Sequence, residues 1–372
     1  MVVPHGRCRL AAICVPLVPL VALAFVSLCI PVRGSASPQQ SAPVGQTADL
    51  MSQGMSLAAQ GQLAQAELLL EKARQTEPKN AEVLTALAKV KDREGELPAA
   101  IAIFREVANA APRSTDAHLN LAMALADNGD LNGALPEVSR AVELSPKLAS
   151  AHLNRARILA DLHRVEDARA EFVIASRLAP ANPDCYFYWS LVEKEKDNYV
   201  KESDLLRTVI RLQPNNEKAL NLLGQSLFDE SKEQEAVAVW RRVLGINPDS
   251  SEATYSLSLA LRNTDAQESK RLMARFHELQ EHEKLLRQVN TLGNQAYTEI
   301  NDRRWPEAIA TLREGIRLCG DCQMQATFHK DLGLALCYSG ELHEGETELR
   351  TALRLNPADP DILKALATIP HQ

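Results

Sequence analysis

Apolar side chains recur along most of this chain at three- and four-residue spacing, the mark of helices that bury one face. Stretches rich in Val, Ile, Thr and aromatics are few, so strand signals are scarce. Several helical runs, LEKARQTEP, FREVANAAP, VSRAVELSP and LLRTVIRLQP among them, end on a proline. Pro78, Pro112, Pro146, Pro180, Pro214 and Pro248 are each 34 residues apart. A proline there stops a helix, because it has no N–H to donate and its ring clashes with the preceding turn. Small residues keep the same phase at Gly54, Ala88, Ala122, Ala156, Ser190 and Gly224. A second set stands at Ala66, Ala100, Ala134, Ala168 and Ala236, with Glu202 as the exception. Gly61, Gly95 and Gly129 fall between the two sets. Leu63, Leu97, Leu131 and Val165 open each second run on its apolar side. Each period therefore predicts two helices, a glycine-centred turn, a close approach at the small residues and a proline stop.

Leu121-Ala122, Leu125, Gly129, Ala134, Ala141 and Pro146 all stand within one period. In these residues the chain resembles the tetratricopeptide-repeat family, over about residues 47–264 and 288–369. The resemblance implies an all-α, right-handed superhelical solenoid of helix-turn-helix repeats, and by itself says little about a ligand. Seven repeats are expected over 47–264 and two more over 289–357. Residues 358–372 are expected to hold a capping helix and tail, since a solenoid has to cover its apolar end. The seventh repeat departs from the pattern, with His282 in the place of the next proline. Leu272, Phe276, Leu279, Leu286, Val289 and Leu292 continue an apolar stripe there. An extended helix of roughly 20 residues is expected over 265–288.

The N-terminus adds an export segment over residues 1–36. Arg7 and Arg9 precede an uncharged run from Leu10 to Ile30, and Gly34-Ser35-Ala36 supplies small residues for a signal peptidase. Cleavage after Ala36 is one reading. An uncleaved membrane anchor over residues 10–30 is the other, although Pro16 and Pro19 interrupt the run. Either way the body is expected outside the cytoplasm, periplasmic or secreted, with any membrane link made only by this segment. Residues 37–46, SPQQSAPVGQ, read as a flexible linker.

Charge narrows the partners. Net charge is −7 over 372 residues, and it becomes −10 without the first 36. An acidic body disfavours nucleic acid as a partner. No nucleotide-binding loop, nucleophile elbow or kinase motif is present, so neither an enzyme nor a cofactor is expected. His277 and His282 in HELQEH are five residues apart and do not share the helix face that a zinc site of this kind needs. His118 and His152 occupy one slot in successive repeats, which favours packing over metal binding. Cys319-Gly320-Asp321-Cys322 is a candidate disulfide in a turn. Inert thiols, a bond to Cys337, and a redox or metal role are the other readings of these cysteines.

The resemblance also implies where a guest would lie, because the first helix of each pair lines the inner groove in that family. Carried over repeat by repeat, the groove positions include Lys89 and Arg93, then Leu119, Asn120, Met123 and Asp127. Leu153, Asn154, Arg157 and Asp161 follow, then Phe187, Tyr188 and Leu191, then Asn221, Gln225 and Asp229. Asn120 and Asn154 form a short ladder whose amides could bond the backbone of an extended peptide, or their own scaffold. Phe187 and Tyr188 are candidate aromatic anchors. The expected role is an exported protein-protein interaction scaffold that binds peptide segments or partner proteins. The alternatives are an envelope assembly or export component, in polysaccharide secretion or outer-membrane machinery, and a thiol redox protein using Cys319 and Cys322.

Overall fold

The computed structural model describes residues 44–320 and 322–368, and the expected export segment lies outside them. Among the described residues there are 18 α-helices and no strand. The chain divides into two compact units after Lys196. The first holds α1 (Val44–Ala59), α2 (Leu63–Thr76), α3 (Ala81–Glu94), α4 (Leu97–Ala110), α5 (Thr115–Asp127), α6 (Leu131–Leu144), α7 (Ala149–Asp161), α8 (Val165–Leu178) and α9 (Pro183–Lys194). The second holds α10 (Tyr199–Leu212), α11 (Glu217–Asp229), α12 (Glu233–Ile246), α13 (Ser251–Ala260), α14 (Ala266–Asn301), α15 (Trp305–Cys319), α16 (Gln325–Ser339), α17 (Leu342–Leu355) and α18 (Pro360–Thr368).

Helices pair because a large side chain of one fills the space left by a small residue of the other. A Cβ added to Gly54 would lie 2.9 Å from Leu70, and one added to Gly333 would lie 2.7 Å from Leu349. At Gly224 the opposing side chain is Trp240, which is 1% exposed. The deepest slot thus receives the largest side chain. The proline stops are followed by caps for the next helix. Asn80, Ser114, Asn182 and Asn216, each two residues past a proline, accept hydrogen bonds from backbone N–H groups of α3, α5, α9 and α11.

The turn inside most hairpins holds one residue with positive φ, and the α13–α14 turn does without. Gly61, Gly95 and Gly129 supply it at 81°, 84° and 83°. In later repeats His163, Asp197, Ser231 and Arg303 hold the same slot at 54–61° without being glycine. The histidine slot braces the hairpins. His118 hydrogen-bonds Glu137 at 2.7 Å and the Pro112 carbonyl at 3.2 Å. His152 repeats this with Glu171 at 2.7 Å and Pro146 at 3.0 Å, and Tyr186 donates to the Pro180 carbonyl. One side chain thus ties its own hairpin to the end of the preceding one.

Two expectations need correction. Residues 44–46, assigned to a flexible linker, begin α1, since nothing between Val44 and Gly54 breaks a helix. The extended helix expected over 265–288 is α14, which runs for 36 residues through to Asn301. It joins the second helix of the seventh repeat to the first helix of the eighth. Gly293 costs only about 1 kcal/mol inside a helix and does not end one. It also makes room for Met324, whose methyl would lie 2.8 Å from an added Cβ.

The turn after α15 carries three extra residues relative to the period, and Gly320 stands where the proline stop would be. Cys319 and Cys322 are joined there as a disulfide, with Cα atoms 5.1 Å apart. At the C-terminal end Ile362 of α18, 1% exposed, packs with Leu349 and Ala352. No helix among the described residues is long and apolar enough to cross a membrane.

Candidate functional site

The residues of the first unit that the resemblance assigns to a groove stand on α3, α5, α7 and α9. Asn120 and Asn154 are half-buried, 34 residues apart on equivalent faces of α5 and α7. Neither side-chain amide hydrogen-bonds another described residue, and neither is among the buried polar groups lacking a partner. Among the described residues their donors and acceptors are left without a partner. Met123 lies half-buried one helical turn beyond Asn120, and Arg157 holds the same place on α7.

The Arg157 guanidinium lies over the ring of Tyr188, 4.4 Å from its centroid. Such a cation–π contact is worth about 0.5–1 kcal/mol at a partly exposed site. Phe187 packs edge-on against Tyr188, with ring centroids 5.7 Å apart. Together they build a half-buried aromatic wall on α9. Asp161, one turn beyond Arg157, has its carboxyl pushed above the ordinary carboxylate value by burial, although Arg157 pulls it down. Neighbouring Glu195 adds to the upward push. This face thus offers amide hydrogen bonds, a pinned cation, apolar surface and carboxylates.

Other expected groove residues are placed differently. Leu119 and Leu153 are 9% and 7% exposed, and serve the core. Lys89 is exposed, whereas the Arg93 guanidinium donates to the Ala58 carbonyl and is tied to the scaffold. Asn221 is a correction: it belongs to the second unit, is 4% exposed, and donates to Glu252 at 3.1 Å. Gln225, in the same unit, donates to Asp229 at 3.0 Å. The slot rule fails at Asn221 because the fifth position of these helices faces the next hairpin. Tyr186 and Trp189 bond the scaffold, Trp189 through Glu193 at 2.8 Å. Cys185 is buried, which pushes its thiol up to about 11, and burial also raises Cys337.

Family and structural comparisons agree with this architecture. Residues 57–124 and 119–183 match tetratricopeptide repeat models. The chain is similar to the peroxisomal targeting signal receptor of Saccharomyces cerevisiae, 29% identical over 90 residues, which is 24% of this chain and 15% of the receptor. The receptor from Candida glabrata is 26% identical over 90 residues, with the same shares of 24% and 15%. The similarity thus spans only a small part of those relatives. A tetratricopeptide repeat protein from Parabacteroides merdae superposes with a TM-score of 0.50 at 15% identity, over 78% of this chain and 99% of that one. The family matches, the 34-residue phase and the paired helices together make this chain a tetratricopeptide-repeat protein.

Proposed function

We propose that this protein-interaction scaffold holds an extended segment of a partner protein along the inner face of its first unit, outside the cytoplasm. The observation that carries the reading is the pair Asn120 and Asn154, whose side-chain amides are solvent-facing and have no hydrogen-bonding partner among the described residues. An amide can donate to a peptide C=O and accept from its N–H, so two in register would grip backbone without demanding a particular sequence. Met123 and the Phe187–Tyr188 wall supply apolar surface for side chains. Export is supported by the charge-free run from Leu10 to Ile30 and by the bonded Cys319–Cys322 pair, which suits an oxidising compartment. That bond closes a turn between helices, the setting of a structural clip.

The test is site-specific photocrosslinking from position 154 in the native cell, repeated with Asn120→Ala. Asn120→Ala removes no internal hydrogen bond, so the variant should fold normally and lose the crosslinked partner. Undiminished capture would reject the groove. Protease protection of the body in intact cells would test its compartment: digestion only after lysis of the inner membrane rejects export.

A further inference from the structure

The seventh and eighth hairpins follow one another in the chain without stacking. In a first helix, the place five residues before the small slot and the place two after it face the preceding hairpin. Ala219 and Ser226 hold these places in α11 and are both 0% exposed. Asp49 and Ser56 hold them in α1, which no described hairpin precedes, and both are exposed. In the eighth hairpin, counted from Ala296, they are Thr291 and Thr298, and both are exposed although a hairpin precedes them. Their hydroxyls donate to the Arg287 and Asn294 carbonyls of their own helix, so covering this face strands no donor. The facing surface of the seventh hairpin is bare too. Asn221, three residues before its slot, is 4% exposed and donates to Glu252 of the next hairpin, whereas Tyr255, in that place on α13, is 40% exposed.

A buried carboxylate shows what is missing. Lys91, three places past the small slot of α3, pairs with Glu67 of the preceding hairpin at 2.6 Å. Glu193 has that place on α9 and pairs with Arg169 of the preceding hairpin at 2.6 Å. Glu299 has it on α14 and is 4% exposed. Gln295 donates to its Oε1 at 2.8 Å, but its buried Oε2 has no partner among the described residues. An unpaired buried carboxylate oxygen is costly. The seventh hairpin holds the complement. Arg271 stands three periods after Arg169, and Lys270 takes that place once Ser269 slips by one residue to bond the Ser258 carbonyl at 2.7 Å. Both cations are exposed, with no hydrogen bond or ion pair to a described residue.

Within one chain these surfaces stay apart. Lys270 and Glu299 lie on the same helix, about 40 Å from one another. Between Leu279 and Leu292 no Gly or Pro turns it back. We propose that a second copy of this chain supplies the contact. Two copies exchange ends, the eighth hairpin of each stacking on the seventh of the other, and Glu299 of one copy meets Lys270 or Arg271 of the other. The exchange is symmetric, so both missing interfaces close together and the assembly stops at two.

The experiment measures the mass of the full chain in solution by light scattering, and two copies are expected. Thr298→Arg, a bulky charge on an exposed face, should leave the fold intact and raise the dissociation constant about tenfold or more. Ser56→Arg, in the equivalent place on the first hairpin, should leave it unchanged. Glu299→Lys in one chain, and Lys270→Glu with Arg271→Glu in another, set like charges together in each pure sample, so each should be monomeric. In the mixture every contact of the hybrid pair is matched, and a dimer should form. Should Glu299→Lys fail to fold, Thr298→Arg against Ser56→Arg decides alone. A single-copy mass for the natural chain would overturn the proposal, and so would a dimer indifferent to Thr298→Arg. Folded reversed chains that stay monomeric on mixing, while the natural chain pairs, would place the contact elsewhere and also overturn it.

Discussion

A methyl group added at Gly224 would sit 2.4 Å from Nε1 of Trp240. Overpacking of this kind costs about 1–3 kcal/mol, more than the roughly 1 kcal/mol that alanine gains over glycine in a helix. Gly224→Ala should therefore lower the urea midpoint, and in a Trp240→Leu background the same change should become neutral or stabilising. Asp331 gives a second measurable consequence. Its folded carboxyl, at about 6, lies above the ordinary 3.8, so burial opposes its ionised form. Its stabilising contribution is complete below the ordinary value and is lost as pH rises through about 6. Asp331→Asn should match the natural protein near pH 4 and exceed it above about pH 7, by on the order of 1 kcal/mol once solvent screening is allowed for. Thermal melts across that range would check the sign, and an advantage confined to low pH would refute it.

The period exposed the hairpins before any coordinate, because helix ends, small slots and turns each impose a residue type at a fixed place. Three kinds of feature stayed hidden. Turn residues such as Ser231 and Arg303 adopt positive φ without being glycine, at 61° and 57°. The left-handed conformation costs a non-glycine residue about 1–2 kcal/mol, which hairpin packing can override. Asn221 looked like a groove residue but is 4% exposed, since burial depends on the neighbouring hairpin rather than on slot alone. Inner-face positions of the last two hairpins went unmarked because their small slots, Ala296 and Gly333, stand four and then seven residues later than the 34-residue phase predicts. The disulfide in that turn has its own prediction. A loop of this size, closed by cysteines three apart in sequence, should contribute about 2 kcal/mol. Replacing both with serine should lower the unfolding free energy by that amount and shift the urea midpoint down accordingly. An unchanged midpoint would show that Met324 and Phe328 hold the turn unaided.

At the scale of the whole molecule, the described cysteines leave no readily ionised thiol. Cys319 and Cys322 are bonded, Cys185 is raised to about 11, and Cys337 is also raised by burial. Because the thiolate is the reactive form, the protein without its first 36 residues should resist iodoacetamide at neutral pH. It should then take up two labels once denatured without reductant. Fast labelling of the folded form would contradict this arrangement. The uninterrupted α14 has another bearing. Where hairpins meet through a turn, an added residue is absorbed locally. Here the seventh and eighth hairpins share one rod of 36 residues. Each residue inserted near its middle would swing everything beyond it by about 100° and advance it about 1.5 Å. One extra residue should therefore misalign the two ends, whereas seven, close to two full turns, should nearly restore their heading. The residue count between Leu279 and Val289 acts as a gear setting, so lengths there should drift in pairs of turns rather than singly.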